Sequence, residues 1–279
     1  MTDDTECDLS QGEDKMQAYG RAFARVYNER WAGFAQRVAP RLLEFYESTP
    51  AGREHKTLLD LCCGTGQLAL HFLERGYRVL GIDLSEPMLQ YARENAARYV
   101  ETGHAEFIQA DAASLDVAKW SRGGHGDPPL RFGLVVSTFD ALNHLPGEDA
   151  LRSCFQSVYP VLVPDGFFIF DLNTRAGLLA HWNGIQVQDT EEIMLVTRGL
   201  YDEESDRAWT RISGFVRTES GLYERFEQTA FNTAFDLAWV REALLAAGWQ
   251  SVHFARMDNL GVPIAEPEEE TRAFIVARK

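Results

Sequence analysis

Two acids and two glycines, read by type and spacing, point to the chemistry of this chain. Leu58 to Gly66 reads LLDLCCGTG and leads into QLALHFLERG. A buried strand therefore stops at Asp60, turns through Gly64 and Gly66, and re-enters as an amphipathic helix, which is a nucleotide-binding corner. Glycine serves twice there, because the turn demands unusual dihedrals and because a ligand must approach the backbone without meeting a Cβ. A second apolar run, Tyr77 to Asp83 (YRVLGID), also ends on an acid, 83 − 66 = 17 residues past the last glycine. A carboxylate at that strand tip sits where a ribose lies and can accept both hydroxyl protons. Asp60, just ahead of the turn, would repel a pyrophosphate and suits a cation instead. Together the two acids predict a site for a nucleoside that carries positive charge and no phosphate. A nicotinamide-dependent oxidoreductase is the competing reading, since Gly64-Thr65-Gly66-Gln67-Leu68-Ala69 also satisfies G-x-G-x-x-G/A. For proton transfer the candidate is His144, which leaves the end of the fourth strand, because histidine ordinarily gains a proton near neutrality. Tyr19 or Tyr27 would orient an amine or hydroxyl from across the cleft. The competing view of His144 is that it only packs the turn that follows.

DLCCGTG, GIDLSEPML and QADA together resemble the class I S-adenosylmethionine-dependent methyltransferases. The resemblance runs from about Tyr19 to the C-terminus and is closest to the small-molecule branch, in which FDALNHL follows the fourth strand, FDLNT ends the fifth, and a β insert carries a segment similar to GLYERFEQT. It implies S-adenosylmethionine as cofactor, whose sulfonium and ammonium answer to Asp60 and whose ribose answers to Asp83. It also implies that Leu84 and Met88 lie beside the adenosine, that Asp111 accepts the exocyclic amine of adenine, and that the Ala112 amide meets a ring nitrogen. Phe139, in FDALNHL, faces cofactor and substrate. The N-terminal helix is expected to close over the cofactor with at least one of Tyr19, Tyr27 and Trp31. Cys62 stands where the family's first glycine belongs, which predicts altered turn packing and no loss of binding. The implied reaction moves a methyl group from sulfonium to a small-molecule acceptor, amine or hydroxyl. A cofactor-binding scaffold without turnover is the remaining alternative.

The expected fold is doubly wound α/β, with seven strands in the order 3-2-1-4-5-7-6, strand seven antiparallel, an N-terminal helical cap and an antiparallel β insert. At 279 residues and 45% hydrophobic the chain can bury a full core. Residues 1–14 read as a disordered acidic tail, and 15–279 as one methyltransferase domain containing the insert at about 185–231. One or two helices lie over Lys15 to Glu47, broken near Gly33 or Pro40. Ser85-Glu86-Pro87 starts a helix, and Ser121 to Pro129, with His125, reads as an exposed loop. Within the insert three strands are expected, Glu192 to Tyr201, Ala208 to Thr218 and Leu222 to Phe231, forming a lid over the acceptor with Arg225 as a candidate to hold a polar group. Replacing the insert is expected to spare cofactor binding. The acidic run Glu266 to Glu270 reads as a solvated loop, without the turn residues of a metal site. Formal net charge is −15, which disfavours nucleic acid and anionic membrane surfaces as partners. With no run near the roughly 18 apolar residues of a membrane span, no signal peptide and four cysteines without paired spacing, the expected location is cytoplasmic.

Overall fold

The computed structural model describes residues 19–31, 33–115 and 131–279. The expected tail, Cys7 and the 121–129 loop lie outside them. Helices α1 (Arg21–Arg30), α2 (Gly33–Ser48) and α3 (Pro50–Glu54) precede the sheet. The break between the first two falls before Gly33, whereas Pro40 lies inside α2. Both Pro40 and Gln36, whose carbonyl loses its partner, face solvent, while Val38, Ala39, Leu42 and Tyr46 are buried on the opposite side. Water can serve that carbonyl, so the helix continues.

Strand β1 (Thr57–Leu61) is buried at every position after its first, as a parallel strand covered on both faces must be. Helix α4 (Gln67–Leu73) follows it, then β2 (Arg78–Asp83), α5 (Glu86–Asn95), α6 (Ala97–Glu101), β3 (Ala105–Gln109), β4 (Phe132–Ser137), α7 (Glu148–Val158) and β5 (Leu162–Asn173). After α8 (Arg175–His181) comes the insert, with β6 (Gly184–Asp189), β7 (Ile193–Asp202), β8 (Arg207–Arg217) and β9 (Tyr223–Thr233). The chain closes with α9 (Leu237–Ala246), β10 (Ser251–Ala255) and β11 (Arg272–Arg278). The main sheet runs β10-β11-β5-β4-β1-β2-β3, and β11 is antiparallel to both neighbours, which is the expected order. Side-chain alternation splits the core into two layers. Leu59, Leu61, Ile82, Phe168 and Phe170 pack with α7 and α9 on one face, and Leu58, Val79, Leu134, Val136 and Ile169 pack with α2 and α4 on the other.

The insert is a separate antiparallel sheet of four strands, β6-β7-β8-β9. Its edge strand β6 was not expected, although Ile185 and Val187 alternate with Gln186 and Gln188, because both apolar side chains face water at 67% and 63% exposure. From its inner face Ile193, Leu195, Val216 and Phe226 share one buried cluster with Phe23, Ala24 and Val26 of α1 and Met88 of α5. Among the described residues no helix is long and apolar enough to cross a membrane.

Candidate active site

The β1–α4 turn is built from left-handed residues. Cys62, Gly64 and Gly66 have φ of 62°, 54° and 75°, so Cys62 holds a conformation that side chains disfavour. The Cys63 N–H donates to the Ile82 carbonyl at 2.8 Å, tying the turn to β2. Asp83, at the tip of β2, accepts from the Gly64 N–H on Oδ2 and from the Ser85 N–H on Oδ1, each at 2.9 Å. Gly66 lines neither cavity described below; a Cβ there would stand 3.0 Å from the Ala92 Cβ, so this glycine lets α4 pack on α5. Asp60 is 2% exposed, and its Oδ2 has no partner among the described residues. Burial, with the Asp83 charge behind it, pushes the Asp60 carboxyl up to about 8 against the pull of the Ala69 amide.

Beyond the strand ends lies a cavity of about 280 Å³. Cys62, Gly64, Asp83, Leu84, Met88, Asp111 and Ala112 line its sheet side, and Tyr19, Tyr27, Trp31, Phe139 and His144 line it from α1 and the β4–α7 connection. Asp60 instead lines an adjoining recess of about 30 Å³ with Tyr27, Cys62 and Phe139. Asp111 is half-buried and accepts from the Ala113 N–H at 2.7 Å, which aligns its turn. Ser85 caps α5 by accepting from the Met88 N–H at 3.3 Å and donates its own hydroxyl to the Tyr19 carbonyl at 2.7 Å, holding the start of α1 over the cleft.

His144 meets two groups that define its tautomer. Its Nδ1 lies 2.6 Å from the Phe231 carbonyl, which can only accept, so Nδ1 carries the hydrogen. Nε2 then holds the lone pair, and the Tyr19 hydroxyl donates to it at 3.3 Å. Burial, then the Asp140 and Asp83 charges, push the Tyr19 phenol up, and burial does the same for Tyr27, so both remain O–H donors.

The loop carrying Phe139 is fastened by a buried polar network that the sequence pattern did not reveal. Phe139 and Asp140 are both left-handed, with φ of 66° and 50°, and their N–H groups donate to the two oxygens of Asp171 at 2.7 and 2.9 Å. Arg272, from β11, pairs with Asp171 and reaches Asp140 Oδ1 at 2.8 Å. Asn232 donates to the other oxygen of Asp140 at 3.2 Å. Phe34 stacks on Phe139 with ring centroids 4.7 Å apart. Asp171 had a visible signal, since it too is an acid ending an apolar strand; Arg272 and Asn232 had none. Arg225 is on the outer face of the insert, paired with Glu227 at 3.0 Å, while its alternate neighbours Gln228 and Asn232 line the cavity. Arg225 is exposed and does not line the cavity. In the Glu266 to Glu270 run, Glu268 accepts from the Leu237 N–H at 2.6 Å and Glu270 pairs with Arg256.

Residues 58–166 match the family of the methyltransferase domain. YqeM of Bacillus subtilis (strain 168), a protein provisionally named a methyltransferase, is 27% identical over 260 residues, spanning 93% of this chain and 96% of its own. An S-adenosylmethionine-dependent methyltransferase from Clostridium acetobutylicum ATCC 824 has a similar structure, with TM-score 0.73 and 19% identity over 92% of this chain and 97% of that one. The sugar N-methyltransferase KedS8 from Streptoalloteichus sp ATCC 53650 is similar at TM-score 0.66 and 19% identity, over 95% of this chain and 94% of that one. Asp60 fits that cofactor's chemistry, because an orphaned carboxyl oxygen beside a glycine turn calls for a cation without phosphate. Residues 58–166 thus carry a methyltransferase domain, and the chain as a whole has the fold of the S-adenosylmethionine-dependent methyltransferases.

Proposed function

We propose that the enzyme methylates the nitrogen of a small amine-bearing molecule held between the strand ends and the insert, with His144 as the proton acceptor. The observation that carries this reading is the orientation of His144, whose bond to the Phe231 carbonyl leaves Nε2 with its lone pair at the cavity. An amine arrives as an ammonium and must lose a proton before it can attack, and Nε2 takes a proton from the Tyr19 hydroxyl as that oxygen accepts the ammonium's. Asp83, Asp111 and Asp140 line the same cavity with the rings of Tyr19, Tyr27 and Trp31, which favours a cation by charge and by cation–π attraction. The similarity to a sugar N-methyltransferase supports the same direction.

S-adenosylmethionine, when bound, supplies an electrophilic methyl group. Asp60, Cys62, Gly64, Asp83, Leu84, Met88, Asp111 and Ala112 would hold it, with Tyr27 and Phe139 covering it. Alignment of the acceptor and exclusion of water supply much of the acceleration. The test is product mass after incubation with the cofactor and matched panels of amines and alcohols: amines should gain a methyl group and their alcohol counterparts should not. His144→Ala should lower turnover by about two to four orders of magnitude with cofactor affinity nearly unchanged. A variant within a few-fold of wild type, or methylation of the alcohols in preference, would overturn the proposal.

A further inference from the structure

We propose that Asn232 and Trp182 form a recognition subsite for a hydroxyl group on the acceptor, so that the substrate is a hydroxylated amine. The inference rests on the reading that the insert side of the cavity receives the acceptor. Asn232, on β9, is 1% exposed and lines the cavity. Its amide has a fixed sense: Asp140 is a carboxylate held by Arg272, so it must face the NH2 group, and Nδ2 donates to it at 3.2 Å. Oδ1 is thereby turned away, and it is buried with no partner among the described residues. Trp182, at the C-terminal end of α8, also lines the cavity, and its Nε1 is a buried donor without a partner among those residues.

Both residues line the cavity from neighbouring parts of the fold. Trp182 packs against the buried cluster of Leu178, Tyr201, Ala208 and Ala234, and Ala208 is the cross-strand partner of Asn232. The place of Trp182 is built in, because a Cβ at Gly199 would come 2.0 Å from the Trp182 carbonyl oxygen; only glycine lets the chain lie so close to β7. An orphaned acceptor and an orphaned donor lining one cavity are costly to bury unless a ligand matches both. A hydroxyl does so, donating to Asn232 Oδ1 while accepting from Trp182 Nε1. An ammonium would leave the indole unmatched, and a carboxylate would meet Asn232 acceptor to acceptor, with Asp140 behind it.

The experiment measures dissociation constants on the S-adenosylhomocysteine-loaded protein for three probes that share a ring: cyclohexylamine, trans-2-aminocyclohexanol and trans-cyclohexane-1,2-diol. Wild type should prefer the amino alcohol over cyclohexylamine by about tenfold or more, since a site built to pair a hydroxyl rejects the analogue without it. Trp182→Phe removes the donor and keeps a ring, and Asn232→Leu removes the acceptor; each should bring that ratio down to about one. Loss of affinity for both probes with the ratio intact would show a merely structural role and overturn the proposal. So would a wild-type ratio near one, or no binding of any probe. Diol bound as tightly as the amino alcohol, with its affinity lost in both variants, would uphold the hydroxyl subsite while overturning the amine reading on which the substrate class depends.

Discussion

A carboxyl group that is 2% exposed, with one oxygen unpartnered and Asp83 repelling it, keeps its proton to about pH 8. At pH 7 Asp60 is then roughly nine-tenths protonated. Its folded pKa lies above the ordinary 3.8, so between those values the folded chain binds the extra proton. This group's contribution to stability therefore falls as pH rises through that window, and the penalty is complete above pH 8. A cationic ligand has the opposite preference, because it favours the ionised form. Affinity for S-adenosylmethionine should rise by up to about tenfold per pH unit below 8 and level off above it. At pH 7, calorimetry in buffers of different ionisation enthalpy should register release of nearly one proton on binding, and Asp60→Asn should remove both effects. A flat affinity between pH 6 and 8 would place the cofactor's charge elsewhere. Asp83 makes a different prediction, since its two oxygens already organise the Gly64 and Ser85 amides. Asp83→Ala should weaken cofactor binding by about one to two orders of magnitude, each charged hydrogen bond contributing on the order of 1.5 to 3 kcal/mol, and NAD should not bind; tight NAD binding in the same calorimeter would contradict this.

Elements translate such residues into positions, and the β1–α4 turn shows the conflict most directly. Cys62 holds φ of 62° with a side chain attached, a cost of roughly 1 to 2 kcal/mol that glycine avoids while giving back about 0.5 to 1 kcal/mol in unfolded-chain entropy. Cys62→Gly should therefore leave unfolding free energy within about 1 kcal/mol of wild type, whereas Cys62→Val, β-branched in the same conformation, should lose about 2 kcal/mol or more in a urea titration. Equal stability of both variants would mean that the turn relaxes. The same turn explains how far sequence alone could be read. Apolar runs that stop at Asp60, Asp83 and Asp171 mark strand ends within one motif's reach, and so the sheet and its sheet-side wall were legible. Arg272 meets Asp140 from 132 residues away, and His144 meets Phe231 across 87; no local period carries such pairings. Arg225 was assigned to the pocket because LYERFEQ shows an amphipathic strand without showing which face turns inward. Strand β6 escaped because its alternation lacks a buried face, the feature that makes a period recognisable.

At the scale of the whole molecule, the insert and the cofactor-binding half are not independent parts. The inner face of the insert shares a buried cluster with Phe23, Val26 and Met88, which are 4%, 0% and 1% exposed. The β9 backbone also takes hydrogen bonds from Asn143 and His144 in the β4–α7 connection. Deleting the insert would therefore uncover three large side chains, each contributing roughly 1.5 to 3 kcal/mol by its burial. The seven-stranded sheet has its own two-layer core and should stay folded. Helix α1 has less to hold it: among its described contacts outside that cluster are the Ser85 bond to the Tyr19 carbonyl and the Asn28 bond to Asn95. The expectation that a short loop in place of the insert would spare cofactor binding is thus replaced by a graded one. Turnover should disappear, and affinity for S-adenosylhomocysteine should fall by about one to two orders of magnitude as α1 loosens and Tyr19 and Tyr27 leave the cleft. Circular dichroism would verify that the sheet persists, and calorimetry would measure the affinity. Unchanged affinity in that folded protein would show that α1 docks on α5 without help and that the insert serves the acceptor alone.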